Sequence, residues 1–186
     1  MHVLSPFVEQ LRARHPGMKI PGFDPRDGAS AAKVLLLLEA PGPGAVRSGF
    51  ISRHNNDLSA RRLNELLAEA GIDAQETALW NVVPWYIGNE EGTKIRPARV
   101  ADLRNAGPAL GELLPLFRGL RAVVLVGRKA QHKVIRERIH ATASGVKIFE
   151  CYHPSPLVLN GRPENRAKIL AVLQEVRAAL GPAGST

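Results

Sequence analysis

Thiols are almost absent: one cysteine, Cys151, occurs in 186 residues. A lone cysteine excludes an intrachain disulfide and any cluster held by four thiolates, so no metal and no cofactor is expected. Cys151 ends an apolar run, which reads as a small buried hydrophobe rather than a nucleophile. Met1 to Arg14 has no long apolar stretch with a small-residue cleavage site, so no secretory signal is expected. The longest aliphatic runs are far below a membrane span, and a cytoplasmic protein is expected. Internal repeats and low-complexity linkers are missing. There is also no Gly-rich phosphate loop ending in Lys-Ser/Thr and no G-x-S-x-G elbow, which argues against nucleotide-binding and α/β-hydrolase readings.

Negative charge is the scarcer sign, with 17 Asp and Glu against 25 Lys and Arg, a formal net charge of +8. The sequence pI near 10.2 favours polyanionic partners, although a basic surface also serves solubility alone. Apolar residues at 45% and charged residues at 23% are ordinary for a globular protein. The length suits one domain, residues 1–186, with an N-terminal helix and loop over 1–30 and a flexible tail over 181–186.

Val34 to Leu38 is a continuous aliphatic run bounded by Ala40-Pro41-Gly42-Pro43-Gly44, which predicts a strand buried on both faces. Thr77 to Val83, stopped by Pro84, Ala122 to Val126, and Val146 to Cys151 predict three more strands. Helices are expected at Val3 to Leu11, from Leu58 to Ala70 with Gly71 as the terminator, and from Pro163 to Leu180. Another is expected over Pro97 to Phe117, broken or kinked at Gly107-Pro108. A further helix is expected to open at Gly127 and run to about Arg138. Pro16 to Gly28 reads as a loop. The alternation implies a single three-layer α/β/α domain with a mostly parallel four-stranded central sheet. Ligands of such sheets bind outside the carboxyl ends of the strands, where Glu39, Asn81, Gly127 and His153 all fall.

Three segments on that rim carry a resemblance. His153-Pro154-Ser155-Pro156-Leu157 combines a stiff backbone with an imidazole, a hydroxyl and an apolar wedge. Together with Glu39-Ala40-Pro41-Gly42 and Leu79-Trp80-Asn81, it resembles the uracil-DNA glycosylase superfamily, over most of the chain from Val34 onward. The first motif is similar to the E-A-P-G of the iron–sulfur branch, the last to the H-P-S-P-L loop of the single-domain branch. The chain departs from both. It lacks the cluster cysteines, has Leu38 where a glycine usually precedes the glutamate, and has Ala40 where the single-domain branch places an aspartate. Gly42 stands where that branch has the tyrosine that excludes the thymine methyl.

The resemblance implies a partner, DNA containing uracil or a related damaged base, and a nucleoid-associated monomer. It implies that Glu39 stabilises an oxocarbenium-like sugar and positions a water, and that His153 donates to O2 of the departing base. The same Glu39 carboxylate could instead be satisfied by backbone N–H groups. Asn81 is implied to read the uracil edge, or else it caps backbone at a strand end. Ala40 and Gly42 would border the base, and Phe50 would stack on it unless it is a core anchor. Leu157 would fill the gap left by an extruded nucleotide, with Pro156 beside it, or else cover the core. Pro41 and Ser155 would hold phosphates, and Arg128 and Lys129 would meet them at a helix N-terminus. Arg162, with Arg166 and Lys168, extends that contact or is simply solvated. Trp85 and Tyr86 line the groove or pack beneath it. No lysine occupies the motifs to form a Schiff base, so a monofunctional glycosylase is expected. The alternative is a non-catalytic relative that recognises uracil or abasic sites, suggested by Ala40.

Overall fold

The structure, a computed structural model, describes residues 4–181. Val3 and residues 182–186, placed in the first helix and the tail by sequence, lie outside the described residues. Four parallel strands, β2 (Val34–Leu38), β4 (Thr77–Asn81), β5 (Ala122–Val126) and β6 (Lys147–Cys151), pair in the order β4-β2-β5-β6. These match the four expected strands to within two residues at each end. Val34 to Leu37 and Ala122 to Leu125 are wholly buried, because β2 and β5 are the inner strands and helices cover both faces. The outer strand β6 instead mixes Lys147 and Glu150 with apolar residues, a composition that suits an edge.

Chain direction explains the layers. From β2 the chain steps one way to β4, then crosses back to β5 and on to β6. Right-handed crossovers then put α3 (Leu58–Glu69) on one face and α4 (Val100–Leu113) with α5 (Lys133–Thr142) on the other. Accordingly α4 packs with α5, while α7 (Pro163–Ala179) packs with α3 and β6. Helix α1 (Ser5–Arg14) precedes the sheet, and its Phe7 meets Trp80 edge-on. The reversal of strand order falls between β2 and β5, the place where open α/β sheets form a ligand crevice.

Local signals account for most helix ends. Asp57 caps α3 by accepting from the Ala60 N–H at 2.9 Å, and Gly71, at φ +71°, supplies the left-handed residue after it. Gly181 likewise follows α7 at φ +75°, its N–H donating to the Ala178 carbonyl, so it closes a helix rather than beginning a tail.

Two expectations are corrected. Helix α4 runs unbroken through Gly107-Pro108. Pro108 and Arg104, whose carbonyl loses its partner, are both exposed, so water can take the place of the missing bond. The helix expected to open at Gly127 starts six residues later, at Lys133, with His132 as its cap. Elements missed by sequence are α2 (Pro43–Ser48) and a two-stranded parallel ribbon of β1 (Gly22–Phe23) and β3 (Phe50–Ile51). A two-residue strand has no periodicity to detect. A further helix missed by sequence, α6, is the short turn Pro156–Leu159 between β6 and α7.

Beneath the ribbon lies a buried ion pair. Arg53 Nη2 is 3.0 Å from Asp27 Oδ1, both side chains are almost fully enclosed, and Arg53 also donates to the Thr77 hydroxyl. Burial pushes the Asp27 carboxyl up to about 6, against the opposing charge of Arg53. Removing one member leaves the other charge buried and unpaired. Asp27→Ala should therefore cost about 3–5 kcal/mol in urea unfolding at pH 8. A loss below 1 kcal/mol would mean that Arg53 finds water or another partner.

Candidate active site

Parallel pairing brings the strand ends to one rim. Leu38 is in register with Asn81, and the pairing continues past both strands. The Val82 and Val83 N–H groups donate to the Leu38 and Glu39 carbonyls at 2.8 and 3.0 Å. Glu39 and Asn81 are thus held side by side by backbone. The Asn81 residue is buried, yet among the described residues no protein group hydrogen-bonds its side-chain amide. It does not cap backbone.

Glu39 is half-buried, and its Oε1 accepts from the Ala98 N–H at 2.6 Å. That donor is itself held in place. Asp102, in the first turn of α4, takes both terminal nitrogens of Arg96, at 2.7 and 2.9 Å, and the Arg99 N–H at 2.7 Å. The Arg96 bonds hold the Asp102 carboxyl down at about 2. One carboxylate oxygen of Glu39 is therefore engaged, and the other accepts no protein hydrogen bond among the described residues.

The end of β5 carries no side chain. Gly127 sits at φ +85°, and a Cβ built there would be 3.1 Å from the Cβ of His153. His153, two residues past β6, consequently lies over the end of β5. Burial holds its imidazole below the usual 6.5, opposed by the charge of Asp57. At neutral pH it is uncharged, with one ring N–H to donate. A rim with a carboxylate, an unpaired amide and a neutral imidazole can bind a planar polar ring and stabilise charge on either side of a breaking bond.

The family model of the uracil DNA glycosylase superfamily matches residues 25–177. The chain belongs to that superfamily. Wild-type SMUG2 of Pedobacter heparinus is similar at 14% identity over 79% of this chain and 75% of its own, with a TM-score of 0.53. A candidate uracil DNA glycosylase of Methanosarcina acetivorans is similar at 14% identity over 85% of this chain and 99% of its own, again with a TM-score of 0.53. At that identity the likeness bears on the fold alone. No curated protein matches the chain.

On this superfamily fold the other expected site residues divide. Ala40, Pro41 and Gly42 follow Glu39 on the rim, and Gly42 precedes α2 with open space where a side chain would stand. Leu157 is 91% exposed, so it does not cover the core. Ser155, Pro156 and Leu157 follow His153 directly, with Ser155 at the N-cap of α6. Phe50 is 41% exposed, so it is not a core anchor. It lines a cavity of about 370 Å³ between α1 and the β1–β3 ribbon. Trp85 and Tyr86 are buried and pack beneath the surface. Arg162 is exposed at the start of α7.

Arg128 and Lys129 need correction: they lie in a turn and not at a helix N-terminus. The Gln131 amide holds that turn by donating to the carbonyls of Leu125 and Cys151, at 3.1 and 2.7 Å. Cys151 is buried, its thiol pushed up to about 12 by burial. Sequence reasoning passed over Ala98, Asp57 and Gln131. Only Asp57 left a signal, as a cap residue before an apolar-periodic helix.

The bare end of β5 is testable. Gly127→Ala should destabilise by roughly 1–2 kcal/mol through its left-handed backbone. It should also crowd His153 outward, moving its NMR titration midpoint up toward the ordinary histidine value as burial is lost. An unchanged midpoint would show that Gly127 does not set the position of the ring.

Proposed function

We propose that the chain is a monofunctional DNA glycosylase that hydrolyses the N-glycosidic bond of uracil in DNA. The observation that carries this is Asn81: an enclosed residue whose amide has no protein partner among the described residues, beside Glu39 on the rim that also carries His153. Its amide atoms are not sealed away from solvent, so a ligand on the rim can pair with them. Uracil can accept at O4 from its N–H and donate from N3 to its oxygen, whereas cytosine presents the reverse pattern.

In this reading the bond between C1′ and N1 breaks with its electron pair passing to the base. His153 donates an N–H bond to O2 of the departing uracilate. Glu39 stabilises the positive sugar and accepts a proton from the water whose oxygen bonds to C1′. Products are free base and an abasic site. Phe50 offers an exposed face for stacking, and Leu157 occupies the gap in the duplex. Extruding the base costs a few kcal/mol, which the wedge and contacts from Ser155, Pro41, Arg128, Lys129 and Arg162 to phosphates would offset.

A labelled oligonucleotide panel carrying uracil, thymine or hypoxanthine opposite guanine, plus single-stranded uracil, tests this. Uracil-dependent breaks after alkali are expected. Glu39→Gln and His153→Ala should each slow cleavage roughly 100-fold or more with little change in DNA affinity. Equal losses of cleavage and affinity would refute those roles. Binding without cleavage by the unaltered protein would favour the non-catalytic reading, which Ala40 and the Ala98 bond on Glu39 keep open.

The open space at Gly42 bears on the base range. Its φ of −82° accepts any side chain. With no tyrosine there, 5-substituted uracils should be substrates, and Gly42→Tyr should reduce their cleavage far more than that of uracil. An unaltered ratio of the two rates would place base discrimination elsewhere.

A further inference from the structure

The wedge turn is held by polar side chains rather than by a core. None of the four residues of α6 is buried, and only Leu159 packs partly against the interior. Beside it lies a surface cleft of about 190 Å³ between α3, α6 and α7, lined by Arg62, Glu65, Leu66, Leu159, Pro163 and Arg166. Apolar packing on that side is therefore incomplete. Two bonds cross to the turn instead. Arg62, on α3, donates from Nη2 to Oδ1 of Asn160 at 3.1 Å. Asn165, buried in the first turns of α7, donates from Nδ2 to the Val158 carbonyl at 2.9 Å. Val158 and Asn160 stand one and three residues after Leu157, so the two bonds bracket the C-terminal half of the turn that carries it.

We infer that Arg62, together with Asn165, is a positioning residue that clamps α6 so that Leu157 stands ready to enter a DNA duplex. This rests on the glycosylase reading. Extrusion pushes back on the wedge, and an unclamped four-residue turn with a cleft beside it would yield. Single-stranded substrate has no stack to open and makes no such demand.

Arg62→Met retains most of the side-chain bulk and the apolar stem. It also removes Nη1, an enclosed donor that has no partner, so the fold should tolerate the change. Amide hydrogen exchange of the unliganded variant should quicken at Val158, Leu159 and Asn160, whose N–H groups close the turn on Ser155 and Pro156. Cleavage of uracil in duplex should fall roughly tenfold or more while cleavage in single strands changes little. With Leu157→Ala already present, Arg62→Met should add almost nothing to the duplex loss, since the clamp acts through the wedge. Asn160→Asp, which keeps the acceptor, should retain the duplex-to-single-strand ratio.

Unchanged exchange in the turn, or an equal fall on both substrates, would overturn the inference. So would full additivity with Leu157→Ala. If the unaltered protein neither cleaves nor binds uracil-containing DNA, the glycosylase reading falls and the inference with it, even where exchange shows that the clamp holds the turn.

Discussion

Strand β2 is hydrogen-bonded on both sides, to β4 through Leu38 and Asn81 and to β5 through Val34 to Leu37. Those two ladders decide where everything else stands. Parallel pairing delivers the carboxyl ends of all four strands to one rim, and the strand order reverses between β2 and β5, where open α/β sheets take their ligands. Because Val34 to Leu37 and Ala122 to Leu125 are wholly buried aliphatic residues, the rim rests on a layer that cannot shift without exposing apolar surface. The functional groups need little adjustment beyond that. Glu39 and Asn81 are adjacent because their strands are in register.

The chemistry of the rim is divided by environment. Glu39 meets a backbone N–H supplied by the turn before α4, and that turn is secured by the paired Arg96 and Asp102. His153 is kept neutral by burial and lies across the bare end of β5. On the other side of Glu39, at the end of the outer strand β4, Asn81 offers an amide that no group among the described residues uses. The chain's formal net charge of +8 is in keeping with a polyanionic ligand. The proposed wedge, Leu157, is held differently from the rim: it projects from a turn tied down by hydrogen bonds and not from the core.

Strands and principal helices were legible because each is long enough to display its period. Val34 to Leu38 could not be an exposed segment, and Gly71 marked the end of α3. The rim residues were legible for a related reason: in a parallel sheet, residues just past the strands share one edge. The features that escaped notice were short or long-range. The β1–β3 ribbon has two residues in each strand, and the Asp27–Arg53 pair joins positions with no common pattern. Arg128 and Lys129 were misplaced because Gly127 signals a left-handed residue without fixing the conformation of its successors. Here a run of turns held by Gln131 comes before α5 begins.

By itself the sequence determined the order of elements, the parallel sheet, and the identity of the groups at its carboxyl edge. These arise from local periodicity and from the few ways that alternating strands and helices can pack. Only the tertiary structure decided which of those groups are free. Whether Asn81 is already bonded, how much of Glu39 is engaged by Ala98, how far His153 is buried, and what holds Leu157 outward all depend on neighbours distant in the chain. Such contacts come from packing, and no single segment encodes them.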